Sequence, residues 1–115
     1  MNAVFVAILG ALSVSSANLA KTFPEAPPWQ YDYPYRGTVS VSYMSPELVH
    51  HVCNLGFSKY KGAGVPKGFV IVACSGKDDA LELCEIVMPH KHYYDEGTWN
   101  NIWRHEVGHC NGWDH

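Results

Sequence analysis

The tightest constraint on what this chain can fold into is one eleven-residue pattern, His105-Glu106-Val107-Gly108-His109-Cys110-Asn111-Gly112-Trp113-Asp114-His115. On an α-helix, residues four apart are rotated by about 40° and separated by about 6 Å along the axis, so His105 and His109 can offer imidazole nitrogens to one metal ion. Glu106 points about 100° away from His105, the offset of a carboxylate that holds a water beside a metal and leaves the metal to the histidines. A continuous helix would carry His115 about 9 Å beyond His109, too far to share an ion whose bond to nitrogen is roughly 2.0–2.1 Å. The helix must therefore end first. Gly112 stands where a left-handed residue can reverse the chain and return His115. Three imidazoles with a fourth position left for water is the arrangement of a catalytic zinc, as opposed to a closed structural one. A plain polar helix face would account for the histidine pair, but for neither Glu106 nor Gly112.

These eleven residues resemble the long zinc-binding consensus of the metzincin metallopeptidases. The resemblance implies that His105, His109 and His115 ligate zinc, one ion per chain, that Glu106 is the general base and that Gly112 is the turn. The family's methionine turn, which follows the third histidine, has no counterpart after His115, and Met44 and Met88 lie upstream. The match is thus to a minimal or divergent relative. It implies a small α+β, zincin-like domain with a short mixed or antiparallel sheet packed on two helices, the zinc helix at the C-terminal end.

Residues 1–20 hold an apolar run from Ala3 to Leu12, the length of a signal-peptide core and short of the ~20 residues that span a bilayer. An export signal is expected, with cleavage after Ala17 or Ala20, and a secreted or periplasmic product; the alternative is a buried N-terminal helix. What remains, about 95 residues, is one domain with a limited core. Small exported domains are commonly stapled, and Cys53, Cys74, Cys84 and Cys110 form an even set without a Cys-x-x-Cys knuckle. Two disulfides are expected, with Cys74–Cys84 across a hairpin and Cys53–Cys110 between helices favoured among three connectivities. The net charge of −3 and eight scattered basic residues give no stripe for nucleic acid and no basic amphipathic helix for a membrane surface. Composition leaves the oligomeric state open.

Residues 21–37 carry four prolines and five aromatic rings and should form an extended arm packed over the domain, which spans 38–115. The arm's rings could instead line a binding surface. Thr38 to Tyr43 alternates as a strand. Ser45 and Pro46 open a helix with an apolar face of Leu48, Val49, Val52 and Cys53, ended by Gly56. Neighbouring His50 and His51 cannot form an i, i+4 pair and read as ordinary helix residues. Phe69 to Cys74 reads as a buried strand and Leu81 to Val87 as a half-buried one, joined by a turn at Ser75–Asp79. By the metzincin resemblance, Glu82, Leu83, Cys84, Glu85, Ile86, Val87 and Met88 form the substrate rail, since an open strand edge can add an extended peptide through backbone hydrogen bonds.

In the connecting loop, His90 and His92 are a weak second metal pair, and solvated loop residues are the simpler reading. Tyr93 or Tyr94 could donate a hydrogen bond to a developing oxyanion. Thr98 should cap the zinc helix, while Ile102 with Trp99 or Trp103 packs its back against the sheet. The expectation is an exported zinc metallopeptidase that acts on a peptide or protein through a zinc-bound water activated by Glu106. It has no nucleic-acid partner and no stable membrane association once the signal is removed. Two other classes fit the motif: a zinc-binding interaction protein without turnover, and a zinc hydrolase of non-peptide amides.

Overall fold

The computed structural model describes residues 4–11, 25–62, 65 and 68–114, with the backbone alone at 4–11, 60 and 61. The chain runs β1 (Val4–Ala11), a 3-10 turn at Trp29–Tyr31, β2 (Thr38–Met44), α1 (Pro46–Lys61), β3 (Phe69–Asp78), β4 (Leu83–Pro89), a 3-10 turn at Lys91–Tyr93 and α2 (Glu96–Cys110). It is a small α+β fold with a mixed sheet, two helices and the second helix at the C-terminal end. The sheet order is β1-β3-β4-β2. β3 and β4 form an antiparallel hairpin, and β2, returning through α1, lies parallel to β4.

β1 takes the outer edge, antiparallel to β3. Its residues fall within the segment read as the export signal, whose other residues lie outside the described ones. The described part is strand, so the alternative of a buried N-terminal helix does not hold. Lying at the outer edge, β1 pairs with β3 alone and takes no part in the β3-β4-β2 ladder.

The alternation of β4 sorts the core into two clusters. Cys84, Ile86 and Met88 are buried with Trp99, Ile102, Val107 and Cys110 of α2. Val87 packs instead with Val49 and Cys53 of α1 and with Ile71 and Cys74 of β3. Each helix therefore lies on its own side of the sheet. Full burial of a side chain such as Ile102 is worth about 1.5–3 kcal/mol. Among the described residues, no helix is long and apolar enough to cross a membrane.

The four cysteines form two disulfides, in a pairing other than the favoured one: Cys53–Cys74 and Cys84–Cys110. Hairpin register explains the difference. Cys74 lies opposite Val87 and Cys84 opposite Lys77, so the two are three positions out of step and cannot meet across the ladder. Each instead reaches the helix on its own face. α1 is stapled to β3 and α2 to β4, an arrangement compatible with a secreted protein.

Local chemistry also moved three boundaries. Ser45 caps α1 through Leu48 N, with Pro46 at the first position, as expected, but the helix runs past Gly56 to a left-handed Gly62. Phe57, beyond Gly56, packs on the α1 cluster and extends the helix. Of its expected apolar face, Val49 and Cys53 are buried, while Leu48 and Val52 are exposed. The hairpin turn is not at Ser75–Asp79 but starts four residues later, at 79–82, where Asp78 accepts from the amides of Ala80 and Leu81 and Glu82 takes a positive φ. α2 starts at Glu96, capped by Asp95 and not by Thr98: the Asp95 carboxylate accepts from the Thr98 amide at 2.8 Å and from its hydroxyl at 2.7 Å.

Candidate metal centre

α2 carries His105, Glu106 and His109 in its last two turns, all buried. One ring nitrogen of each histidine and a Glu106 oxygen lie within 4.8 Å of one another. Among the described residues this is the group of three or more metal-ligating side chains that could hold an ion. His115 lies outside the described residues, and so does its expected role as third ligand.

Two backbone carbonyls fix the rings. His105 Nδ1 is 2.8 Å from the carbonyl oxygen of Glu25, and His109 Nδ1 is 2.6 Å from that of Trp113. A carbonyl only accepts, so each Nδ1 bears the proton and each Nε2 is the basic nitrogen that can bind a metal. His50 shows the opposite state: its Nδ1 accepts from the Ile71 amide at 2.9 Å and ties α1 to β3, a structural tie. Two rings set by separate carbonyls to the same tautomer, four residues apart, could offer their Nε2 atoms to one metal ion.

The helix ends as the spacing requires. Trp113 N donates to Gly108 O and Gly112 N to His109 O, each at 3.0 Å, closing a Schellman turn in which Gly112 has φ +104°. That reversal places the Trp113 carbonyl on His109. It also lays the Trp113 indole near both histidines, 11° from the His109 plane and edge-on to His105, with centroids 4.9 and 4.7 Å away.

Glu106 is completely buried, and among the described residues neither oxygen has a hydrogen-bond partner. Burial pushes its carboxyl up to about 8 from an ordinary 4.5. The Ser75 hydroxyl of β3, itself buried, is near enough to oppose the shift without closing a hydrogen bond of regular geometry. A carboxylate in this position calls for a nearby positive charge, and a cation held by the two histidines would meet that demand. The donor set fits a borderline-soft ion such as zinc.

A cleft of about 260 Å³ opens beside His109, lined by Ser75, Lys77, Asp79, Gly112, Trp113 and Asp114 among others. Asp114, the acidic neighbour of His115, thus lies at the cleft. The expected substrate rail does not fit this architecture. β4 is paired on both sides, to β3 and to β2, so Glu82 to Met88 has no open edge to offer a peptide. Cys84, Ile86 and Met88 are core residues, and Glu82 lies in the turn before the strand. β3, which borders the cleft through Ser75 and Lys77, carries β1 on its other side.

The loop residues lie elsewhere. Tyr93 is exposed with its ring against His92 at 4.1 Å, and Tyr94 packs on the core cluster of α2, where burial raises its pKa. Neither lines the cleft beside His109. His90 and His92 are exposed and stack at 5.7 Å in a row with Tyr43. On the back of α2, Trp99 donates its indole N–H to Pro89 O at 2.9 Å and Ile102 is fully buried, as expected of that face.

The residues that sequence reasoning missed all act through backbone atoms or through a misplaced turn. Glu25 and Trp113 contribute carbonyls, which every residue has, and nothing in their side chains signals the role. Ser75 was hidden by the assignment of Ser75–Asp79 to the turn. Compared with family models, curated proteins and solved structures, the chain finds no match.

Proposed function

We propose that the chain is an exported zinc metallopeptidase. The observation that carries the reading is the pair of backbone carbonyls that hold His105 and His109 in one tautomer beside the buried Glu106. His105 and His109, with His115 as the third ligand by the metzincin resemblance, would hold the ion. Bound there, zinc supplies Lewis-acid chemistry, stabilising charge at a scissile carbonyl and making water acidic enough to attack near neutral pH. Glu106 takes a proton from the attacking water and returns it to the leaving amine, the work of a base whose pKa lies near the operating pH. The Trp113 indole excludes water from one side of the histidines. The two disulfides support action outside the cytoplasm, and the apolar run from Ala3 to Leu12, read as an export signal, agrees with it.

One observation favours a second reading. Glu106 is 0 % exposed, which suits a metal-binding module as well as an enzyme. The two are separated by Glu106→Gln, which keeps the side chain's shape and removes the base. An enzyme retains zinc and loses at least about a hundredfold in peptide hydrolysis, since a positioned proton-transfer group contributes about 10²–10⁴-fold. Wild-type protein that holds zinc but cleaves nothing in a peptide library leaves the binding module as the function. If Asp114→Asn abolishes cleavage while Glu106→Gln leaves it intact, the assignment of the base is wrong.

A further inference from the structure

The two histidines owe their tautomer to different parts of the chain. His109 is set by Trp113, four residues on, within the turn that ends its own helix. His105 is set by Glu25, eighty residues earlier, at the start of the described arm. A neutral imidazole has one N–H to place, and in water the Nε2–H form is preferred. Without an acceptor at Nδ1, the proton returns to the nitrogen that a metal needs.

Three fastenings hold the arm against α2. Pro27 sits on Gly108, where a Cβ would stand 2.7 Å from Pro27 Cβ, so a residue larger than glycine pushes the arm away. Asn111 Nδ2 donates to Tyr31 O at 2.9 Å and to Tyr33 O at 2.6 Å, using both amide hydrogens on the arm's backbone. Arg104 grips Asp32 with both its Nε and a terminal nitrogen. All three contacts come from the two turns of α2 that carry the histidines and from the cap that follows. The arm is thus fitted to the segment that presents the metal ligands.

Resting on the metal-site reading above, we infer that residues 25–33 are a clamp that selects the metal-binding tautomer of His105, with Gly108 and Asn111 as its positioning residues. The clamp touches no metal. It acts by holding one carbonyl oxygen at Nδ1, and outer partners of this kind are worth about 10–100-fold in metal affinity. A Cβ at 108 would also stand 3.2 Å from Trp113 Cε3, so Gly108 leaves room for the arm and for the Trp113 indole at the expense of helix propensity.

The test uses Gly108→Ala and Asn111→Asp, the second setting a carboxylate against two carbonyls. Nitrogen-15 spectra of the metal-free protein at neutral pH report the tautomer of each histidine, and competition with a chromophoric chelator reports zinc affinity. Both variants are expected to move His105 toward the Nε2–H form and to bind zinc about 10–100-fold more weakly, and Asn111→Asp, whose side chain bonds only the arm, to leave His109 as Nδ1–H. An unchanged His105 tautomer in both variants overturns the proposal, and so does unchanged zinc affinity alongside a changed tautomer. An equal shift at His109 in Asn111→Asp also overturns it, because both rings would then be following the helix end. If the wild type takes up no zinc, the metal-site reading fails, while the metal-free spectra still decide whether the arm sets His105.

Discussion

Glu106 gives the metal-free protein an unusual dependence on pH. The folded state holds its carboxyl proton up to about pH 8, whereas the unfolded chain releases it near 4.5. A carboxyl raised in the folded state binds more protons there than in the unfolded chain across that window, so stability falls as pH rises. Each unit of difference is 1.36 kcal/mol, and between pH 5 and pH 8 the loss comes to about 3 kcal/mol. That is a large share of the 5–15 kcal/mol typical of a domain. The perturbation is Glu106→Gln, whose neutral amide stands in for the protonated acid at every pH. Guanidinium unfolding in excess chelator, with the disulfides intact, measures stability at pH 5, 6, 7 and 8 for both proteins. Titrations common to the two, those of the histidines included, cancel in the difference between the profiles. The variant should gain on the wild type by about 3 kcal/mol from pH 5 to pH 8. Parallel profiles would refute the reasoning, since Glu106 would then be ionised in a site that solvates it.

Replacing Cys53 and Cys74 together with serine should cost about 3 kcal/mol, and the same change at Cys84 and Cys110 a similar amount, from loops closed across 21 and 26 residues. Denaturant midpoints check this, and thiol titration of the unfolded wild type should find no reactive thiol. Gly112→Val forces a β-branched residue to φ +104° and should weaken zinc binding without touching a ligand, because the turn that aims the Trp113 carbonyl at His109 opens. Unchanged affinity in a chelator competition would count against that path. Ile102→Ala removes a fully buried side chain between α2 and β4 and should destabilise by about 2–5 kcal/mol, read from urea unfolding.

What could be read from the chain depended on whether the information sat in side chains or in backbone. The helix of His105 and His109, its end at Gly112 and its buried Ile102 follow from residue types at fixed spacing, and the left-handed glycine is where the pattern demands a reversal. The α1 cap follows equally from Ser45 and Pro46. Strand pairing did not follow. The order that seats β4 between β3 and β2 depends on contacts far apart in sequence, and an inward-facing Cys84, Ile86 and Met88 looks the same in a central strand as at an edge. The disulfide pairing went astray for a related reason, since a hairpin turn placed four residues too early puts Cys74 and Cys84 within apparent reach. The least legible part is the support of the histidines. A proline-rich arm can be expected to pack on its own domain, but the choice of the Glu25 carbonyl for His105 is made by the Pro27 contact with Gly108, which exists only once the fold has formed.

The central claim, that His105 and His109 are ligands of one zinc ion, is tested most directly by metal analysis of the purified protein and of its His105→Ala, His109→Ala double variant after identical exposure to zinc and gel filtration. About one zinc per chain in the wild type and essentially none in the double variant is the predicted result. Full occupancy in the double variant, or no zinc in a wild type whose two disulfides are intact, would contradict it.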